Sequence, residues 1–476
     1  MVFSSVIFLC IFLPAVLLGY YILPKKARNI WLLVASLGFY ACSGPKHLIY
    51  LLASILFNYF AGMVIAKLKG TGAQKGVLAA AIIINVGSLL YFKYTGMLIE
   101  TYNGILGKSI EVPEIILPIG ISFYTFQCMS YIIDVYRTGE FTNDPIKFAV
   151  YISMFPQLLQ GPIIRFGEVK DAIESPVITA DDFSRGLERF IIGLARKAII
   201  ANTIGEVADS IFAIDTANLS TSVAWLGAIL YTLQIYFDFA GYTDMAIGLG
   251  KLFGFTFREN FNYPYISRSV TEFWRRWHIS LSNWFRDYLY IPLGGNRKGN
   301  VYVNLLIVFL ATGIWHGAAW GFVVWGLWHG VFMLIERALK DKKALNIPAA
   351  LSSFLKWTYT TLVVTLGWVL FKIEDIREAL SYISVMFHLQ KHEYNAFSIR
   401  FFLDRRLAFF LVVAVLACVP WAQVLPRLIG ARVAQFSNSD KTAPRIARHV
   451  CLLVLLVISF IFIVNSTYSP FIYFQF

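Results

Sequence analysis

Charge is what this sequence has least of. Only 14% of its 476 residues are Asp, Glu, Lys or Arg, against 58% hydrophobic, and the mean hydropathy is +0.64. Soluble domains carry about 25% charged residues, so a chain built for water is excluded and one built for lipid is indicated. Acidic residues are the scarcer sign, 28 against 41 basic, for a net charge of +13. The basic residues are scattered over short gaps between apolar runs, so anionic lipid at a cytoplasmic face accounts for them and nucleic acid is not called for. Cys10, Cys42, Cys128, Cys418 and Cys451 stand far apart with no CxxC pair, which removes a disulfide framework and a metal site. Also missing are the G-x-S-x-G elbow, the HExxH helix and Walker spacing, and with them the serine hydrolases, zincins and P-loop enzymes. No repeat, low-complexity tract or linker divides the chain.

What is present is a succession of apolar stretches. The first 24 residues are too long and too uncharged at their start for a signal peptide and read as a retained first span. Further runs lie at 30–43, 47–66, 77–98, 115–136, 224–255, 301–330, 355–372, 379–388, 407–426 and 450–464. Together these give an all-α polytopic membrane protein with about 11 to 13 transmembrane or re-entrant helices plus interfacial ones, as one domain over residues 1–476. Lys25, Lys26, Arg28, Lys67, Lys69 and Lys75 mark cytoplasmic loops, and Glu100, Glu111 and Glu114 an outer one, which puts both termini outside. The polar loop with Arg427, Arg432, Lys441, Arg445 and Arg448 is cytoplasmic on the same rule.

Three stretches depart from ordinary spans. In 146–166 the apolar run is broken by Pro156, Gly161 and Pro162, and reads either as a re-entrant segment or as a kinked helix. From Asp181 to Phe212, apolar residues alternate with Arg185, Arg189, Arg196 and Lys197, the pattern of a helix in the interface. Asp238 and Asp244 lie inside apolar sequence, where an ionised carboxylate is costly; each calls for a partner, and structural pairing outweighs direct chemistry.

The chemistry concentrates between Glu259 and Gly330. On one helix from Thr271 to Tyr290, Trp274, Trp277, Leu281, Trp284 and Tyr288 form an apolar stripe for the membrane, and Arg275, Arg276, Arg286, Asn283 and Asp287 a polar surface. His278 falls at the edge of the stripe. The turn LGGNRKG, 293–299, carries Asn296, Arg297 and Lys298 and is an ordinary cytoplasmic turn before it is a phosphate loop. His316 and His329 each stand in a WHG tripeptide, in a stretch with no charged residue between Lys298 and Glu336. A histidine at membrane depth is a functional candidate by default. Kept neutral by burial, it can accept a proton from a hydroxyl. Residue types alone do not rank His316 above His329.

At these residues the sequence resembles the membrane-bound O-acyltransferase family, and within it the bacterial alginate O-acetylation branch. The shared features are MVFSS at 1–5, LPIGISFYTFQCMSYIIDVYR at 117–137, QGPIIRF at 160–166, YFDFAGYTDMAIGLG at 236–250, the run from Glu259 to Arg297, both WHG tripeptides and the terminal YFQF. The resemblance implies a funnel-shaped helical fold in a bacterial inner membrane, with a catalytic core over about residues 115–340. It implies His316 as the essential base, with His278 as second motif histidine. Acetyl-CoA is then the donor substrate, with no permanently bound cofactor. Arg275, Arg276, Arg286, Asp287, Asn296 and Arg297 are the donor-binding candidates. His329, Asp238, Asp244 and Gln160 are secondary ones. The implied acceptor is an extracytoplasmic polysaccharide, served by an exported or membrane-anchored acetyltransferase partner. The alternatives are peptidoglycan acylation, D-alanylation of teichoic acid, a proton-coupled transporter, and a non-catalytic scaffold for polysaccharide export.

Overall fold

The computed structural model describes residues 1–340, 347–389, 397–421, 423–424, 442–466 and 468. Most of the loop from Arg427 to Arg445 and the terminal YFQF lie outside the described residues. Every element among those described is helical. Among the described residues, six helices are long and apolar enough to cross a membrane: Pro45–Lys67, Gly72–Leu106, Thr221–Leu252, Trp320–Leu339, Ala349–Lys372 and Ile446–Asn465. Phe8–Ile22 and Val301–His316 are shorter apolar helices. The apolar exteriors that these helices present have lipid as their solvent.

The chain divides into two compact units. The first holds Met1–Phe190 and Tyr242–Arg258; the second holds Ile191–Gly241 and the described residues from Glu259 to Tyr468. In the first, the rings of Phe3, Phe8, Phe39, Phe155 and Tyr242 pack on one another. The amides of Asn58 and Asn85 exchange hydrogen bonds of 3.1 and 2.8 Å between Pro45–Lys67 and Gly72–Leu106, the polar glue expected of helices that lipid cannot drive together. Segment 146–166 is interrupted as its prolines require: Pro145–Ser153 ends at Met154, Phe155–Leu158 adds one turn, and a non-helical run follows to Arg165.

Two expectations are corrected here. The segment from Asp181 is helical, as Ala180–Ala195, a π turn Arg196–Ala201 and Asn202–Phe212, but it is not simply an interfacial helix. Lys197 is only 1% exposed and pairs with the 4% exposed Asp238, both in the second unit. Arg189 binds Asp244 at 2.7 Å within the first unit. Carboxylates in apolar surroundings need cations, and these two take theirs from a face that would otherwise be assigned to lipid head groups.

The second correction concerns Thr271 to Tyr290, which is not one helix. Val270–Arg276 stops at Trp277, His278 adopts left-handed backbone angles (φ 44°, ψ 54°), and Ile279–Phe285 starts anew before a π turn at Arg286–Tyr290. The stripe residues Trp274, Trp277, Leu281, Trp284 and Tyr288 are all buried within the protein and do not face lipid. The break is held from outside the segment. Asn262 donates its backbone N–H to Arg276 O, and Ile279 donates to Asn260 O, each at 2.9 Å.

Candidate active site

The site lies wholly in the second unit, on a helical hairpin and the strap in front of it. Val301–His316 begins at Asn300, whose side chain caps the backbone N–H groups of Tyr302 and Val303. After Gly317, Ala318 and Ala319 the chain returns as Trp320–Leu339. The hairpin closes on glycines: a Cβ on Gly313 would stand 2.4 Å from Phe322 O, and one on Gly326 2.4 Å from Phe309 O. Small residues at facing positions are how membrane helices bring their backbones together. This approach sets the last turn of the first helix against the first turns of the second.

His316 ends that first helix and is 2% exposed. Its ring is surrounded by Trp315 and Trp325, both at 4.9 Å between centroids, and by Phe371 at 5.3 Å. The His278 ring is 6.5 Å away. His278 is fully buried, against Phe239 at 4.8 Å and Trp315 at 6.0 Å, and burial pushes its pKa down to about 3. Burial thus favours its uncharged form. Its Nδ1 is 3.2 Å from Asn260 Oδ1, which also accepts from the Ser280 backbone N–H at 3.0 Å and from Ser280 Oγ at 2.9 Å.

His329 is separated from His316 by the Trp325 indole, whose centroid is 5.3 Å from the His329 ring. Phe273, Trp274 and Trp368 also enclose it. Its Nε2 occupies space that Gly367 leaves, 2.8 Å from where a Cβ would lie. Two histidines of near-identical local sequence thus have different company: His316 has another imidazole near it, whereas the rings around His329 are those of Phe273, Trp274, Trp325 and Trp368.

A cavity of about 1370 Å³ opens beside the hairpin, larger than the roughly 300–1,000 Å³ of a drug-sized site. Its lining includes Trp274, Phe309 and Thr312, the last one helical turn before His316. Toward its other parts stand Arg268, Arg275, Arg286, Arg337, Lys340 and Lys356, against a single lining carboxylate among the described residues, Glu336. Glu336 accepts from the backbone N–H groups of Val270 and Thr271 and from Thr271 Oγ1, at 2.5, 2.9 and 2.6 Å, and so holds the strap's first helix to the hairpin.

Of the residues expected to receive a donor, Arg275, Arg286 and Asn296 line this cavity. Arg276, Asp287 and Arg297 do not line it. Arg276 turns to Glu272 and the Asn262 carbonyl, each at 3.0 Å. Asp287 binds Arg286 through two contacts of 2.7 and 3.1 Å, and Asn296 Oδ1 accepts from the Tyr290 hydroxyl at 2.8 Å. Gln160, 3% exposed, and Asp244 belong to the first unit; Asp238 belongs to the second and is paired with Lys197.

The membrane-bound O-acyltransferase family description matches residues 142–351, which span both histidines of the pair and the hairpin. A probable alginate O-acetylase AlgI of Pseudomonas putida is 41% identical over 493 aligned residues that take in the whole of both chains. This chain belongs to the membrane-bound O-acyltransferase family. Among its further relatives, a peptidoglycan O-acetyltransferase of Helicobacter pylori is 34% identical, aligned over all of this chain and 98% of that one. A teichoic acid D-alanyltransferase of Bacillus subtilis is 32% identical over 53% of this chain and 67% of its own. The protein is a multi-pass membrane acyltransferase, and the expectation of a helical membrane fold of this family stands. Within that acyltransferase, sequence reasoning missed Asn260, Trp325 and the basic residues Arg268, Arg337, Lys340 and Lys356. No local pattern marks them; they stand 9 to 40 residues in sequence from the nearer of His278 and His316.

Proposed function

We propose that the protein moves an acetyl group from acetyl-CoA, entering at a cytoplasmic face of the inner membrane, toward hydroxyls of an extracytoplasmic alginate-like polysaccharide. The observation that carries this reading is the buried His316–His278 pair beside a cavity whose charged lining is almost entirely basic. Full-length similarity to probable alginate O-acetylases supports the choice of cargo. A thioester arm does not span a hydrocarbon core of about 30 Å, so donor and acceptor have to meet at a recessed site, and a histidine in the hairpin supplies one.

In this reading His316 takes the proton from the accepting hydroxyl as its oxygen bonds to the thioester carbonyl carbon. The C–S bond then breaks and the proton passes to the departing thiolate, so that free CoA and an ester are the products. His278 holds the donor arm, and Arg275, Arg286, Lys340 and Lys356 attract its phosphates. The acceptor is an exported partner's hydroxyl or the polymer itself. His329, enclosed by aromatic rings, serves packing.

The test is His316→Ala in the full chain reconstituted with its partner and labelled acetyl-CoA. Acetyl transfer should fall at least about 100-fold while insertion is unchanged; undiminished transfer would remove His316 from the reaction. Supplying peptidoglycan in place of alginate tests the second cargo, which the full-length likeness to the Helicobacter pylori enzyme favours over D-alanylation.

A further inference from the structure

His278 has two ring nitrogens, and its neighbours determine which one carries the proton. The Ser280 backbone N–H can only donate, and it donates to the Asn260 side-chain atom 3.0 Å away. That atom is therefore the amide oxygen; turning the amide over would set an NH2 group against an N–H. Ser280 Oγ, at 2.9 Å, adds a second donor to the same oxygen. His278 Nδ1 meets this oxygen at 3.2 Å, and two acceptors facing each other make no bond, so Nδ1 carries a hydrogen. In a neutral ring the lone pair is then on Nε2, which is buried and has no hydrogen-bond partner among the described residues.

The arrangement is built to hold. Asn260 is fully buried, its carbonyl accepts the Ile279 N–H at 2.9 Å, and its side chain accepts from the next residue, so both ends grip the left-handed turn on which His278 stands. A histidine at positive φ is uncommon, and such conformations cost of order 1–3 kcal/mol and persist where surroundings enforce them. Here the enforced conformation turns Nδ1 to Asn260 and leaves Nε2 as the free nitrogen on the ring that packs beside His316.

We propose that Asn260 is a positioning residue that fixes His278 as its Nδ1–H tautomer, so that His278 meets the reactants through an Nε2 lone pair. It receives an N–H or O–H hydrogen from them and does not donate to the thioester carbonyl. Charge that develops on that oxygen must then be met by another group. The tautomer rests on geometry alone; its role toward the reactants rests on the acetyl-transfer reading above.

Ring ¹⁵N NMR of the full chain in detergent, labelled at histidine and assigned by the signal lost in His278→Gln, reads the tautomer directly. At neutral pH the expected signature is a protonated Nδ1 and a pyridine-type Nε2; an Nε2–H form or an imidazolium overturns the proposal. Asn260→Leu should convert or mix the tautomers and lower acetyl transfer about 10- to 100-fold, the range for losing the partner that orients a functional histidine. Asn260→Asp, which keeps an oxygen in place, should recover most of that loss with the native tautomer; equal defects in the two variants overturn the positioning role. If the native protein transfers no acetyl group at all, the functional reading fails, while the spectrum still decides the tautomer.

Discussion

At the scale of single residues, the chain meets the cost of charge in apolar surroundings by pairing. Lys197 and Asp238 are both almost fully buried, and removing one takes from the other its buried counter-charge. Lys197→Met should lower stability by about 3–5 kcal/mol, whereas Lys197→Met with Asp238→Leu should recover most of it, since an apolar pair of similar volume often replaces a buried ion pair without loss. Thermal unfolding in detergent measures both, and a single variant as stable as the native protein would refute the pairing as a stability element. That Asp238 and Asp244 need partners was legible in the sequence, because the penalty is local. Which cations serve was not legible, because Lys197 and Arg189 read equally well as interfacial residues until helices distant in sequence are set side by side.

At the scale of elements, the hairpin Val301–His316 with Trp320–Leu339 is held at backbone distance by Gly313 and Gly326. Gly326→Ala would drive a methyl group to 2.4 Å from Phe309 O and 3.0 Å from Gly313, and neither backbone can yield without parting the helices. We expect a loss of about 1–3 kcal/mol, together with reduced transfer as Trp325 withdraws from His316. Gly87→Ala, in Gly72–Leu106 with nothing within 4 Å of the new methyl, should be neutral or slightly stabilising. Circular dichroism melts on the two variants separate these outcomes. The apolar run 301–330 and its two WHG tripeptides were legible; its folding into a hairpin was not, because the break at Gly317, Ala318 and Ala319 is itself apolar. The strap was not: its apolar spacing reads as one helix through Thr271–Tyr290, and a single left-handed residue, fixed by Asn260 from 18 positions away, breaks it without disturbing the composition.

At the scale of the whole molecule, an excess of positive charge converges on one cavity. Arg275 and Arg286 line it, and sequence reading identified both from their place in the strap; Lys340 and Lys356 come from helices whose basic residues look like ordinary loop anchors. Replacing Arg275 and Arg286 together by Gln should raise the KM for acetyl-CoA about tenfold with kcat little changed, the pattern for lost ground-state binding, and should flatten the dependence of KM on salt. An unchanged KM would separate the cavity from the donor. The buried Lys197–Asp238 pair bears on how the chain is made. The ammonium leaves the ribosome about 40 residues ahead of its carboxylate, a delay of roughly two to eight seconds at ordinary rates of synthesis. During that interval Lys197 lacks Asp238, so its burial awaits the arrival of Thr221–Leu252. The burial of this segment is in that sense post-dated, and a truncation ending before Asp238 should leave Lys197 accessible to amine-modifying reagents from the aqueous side.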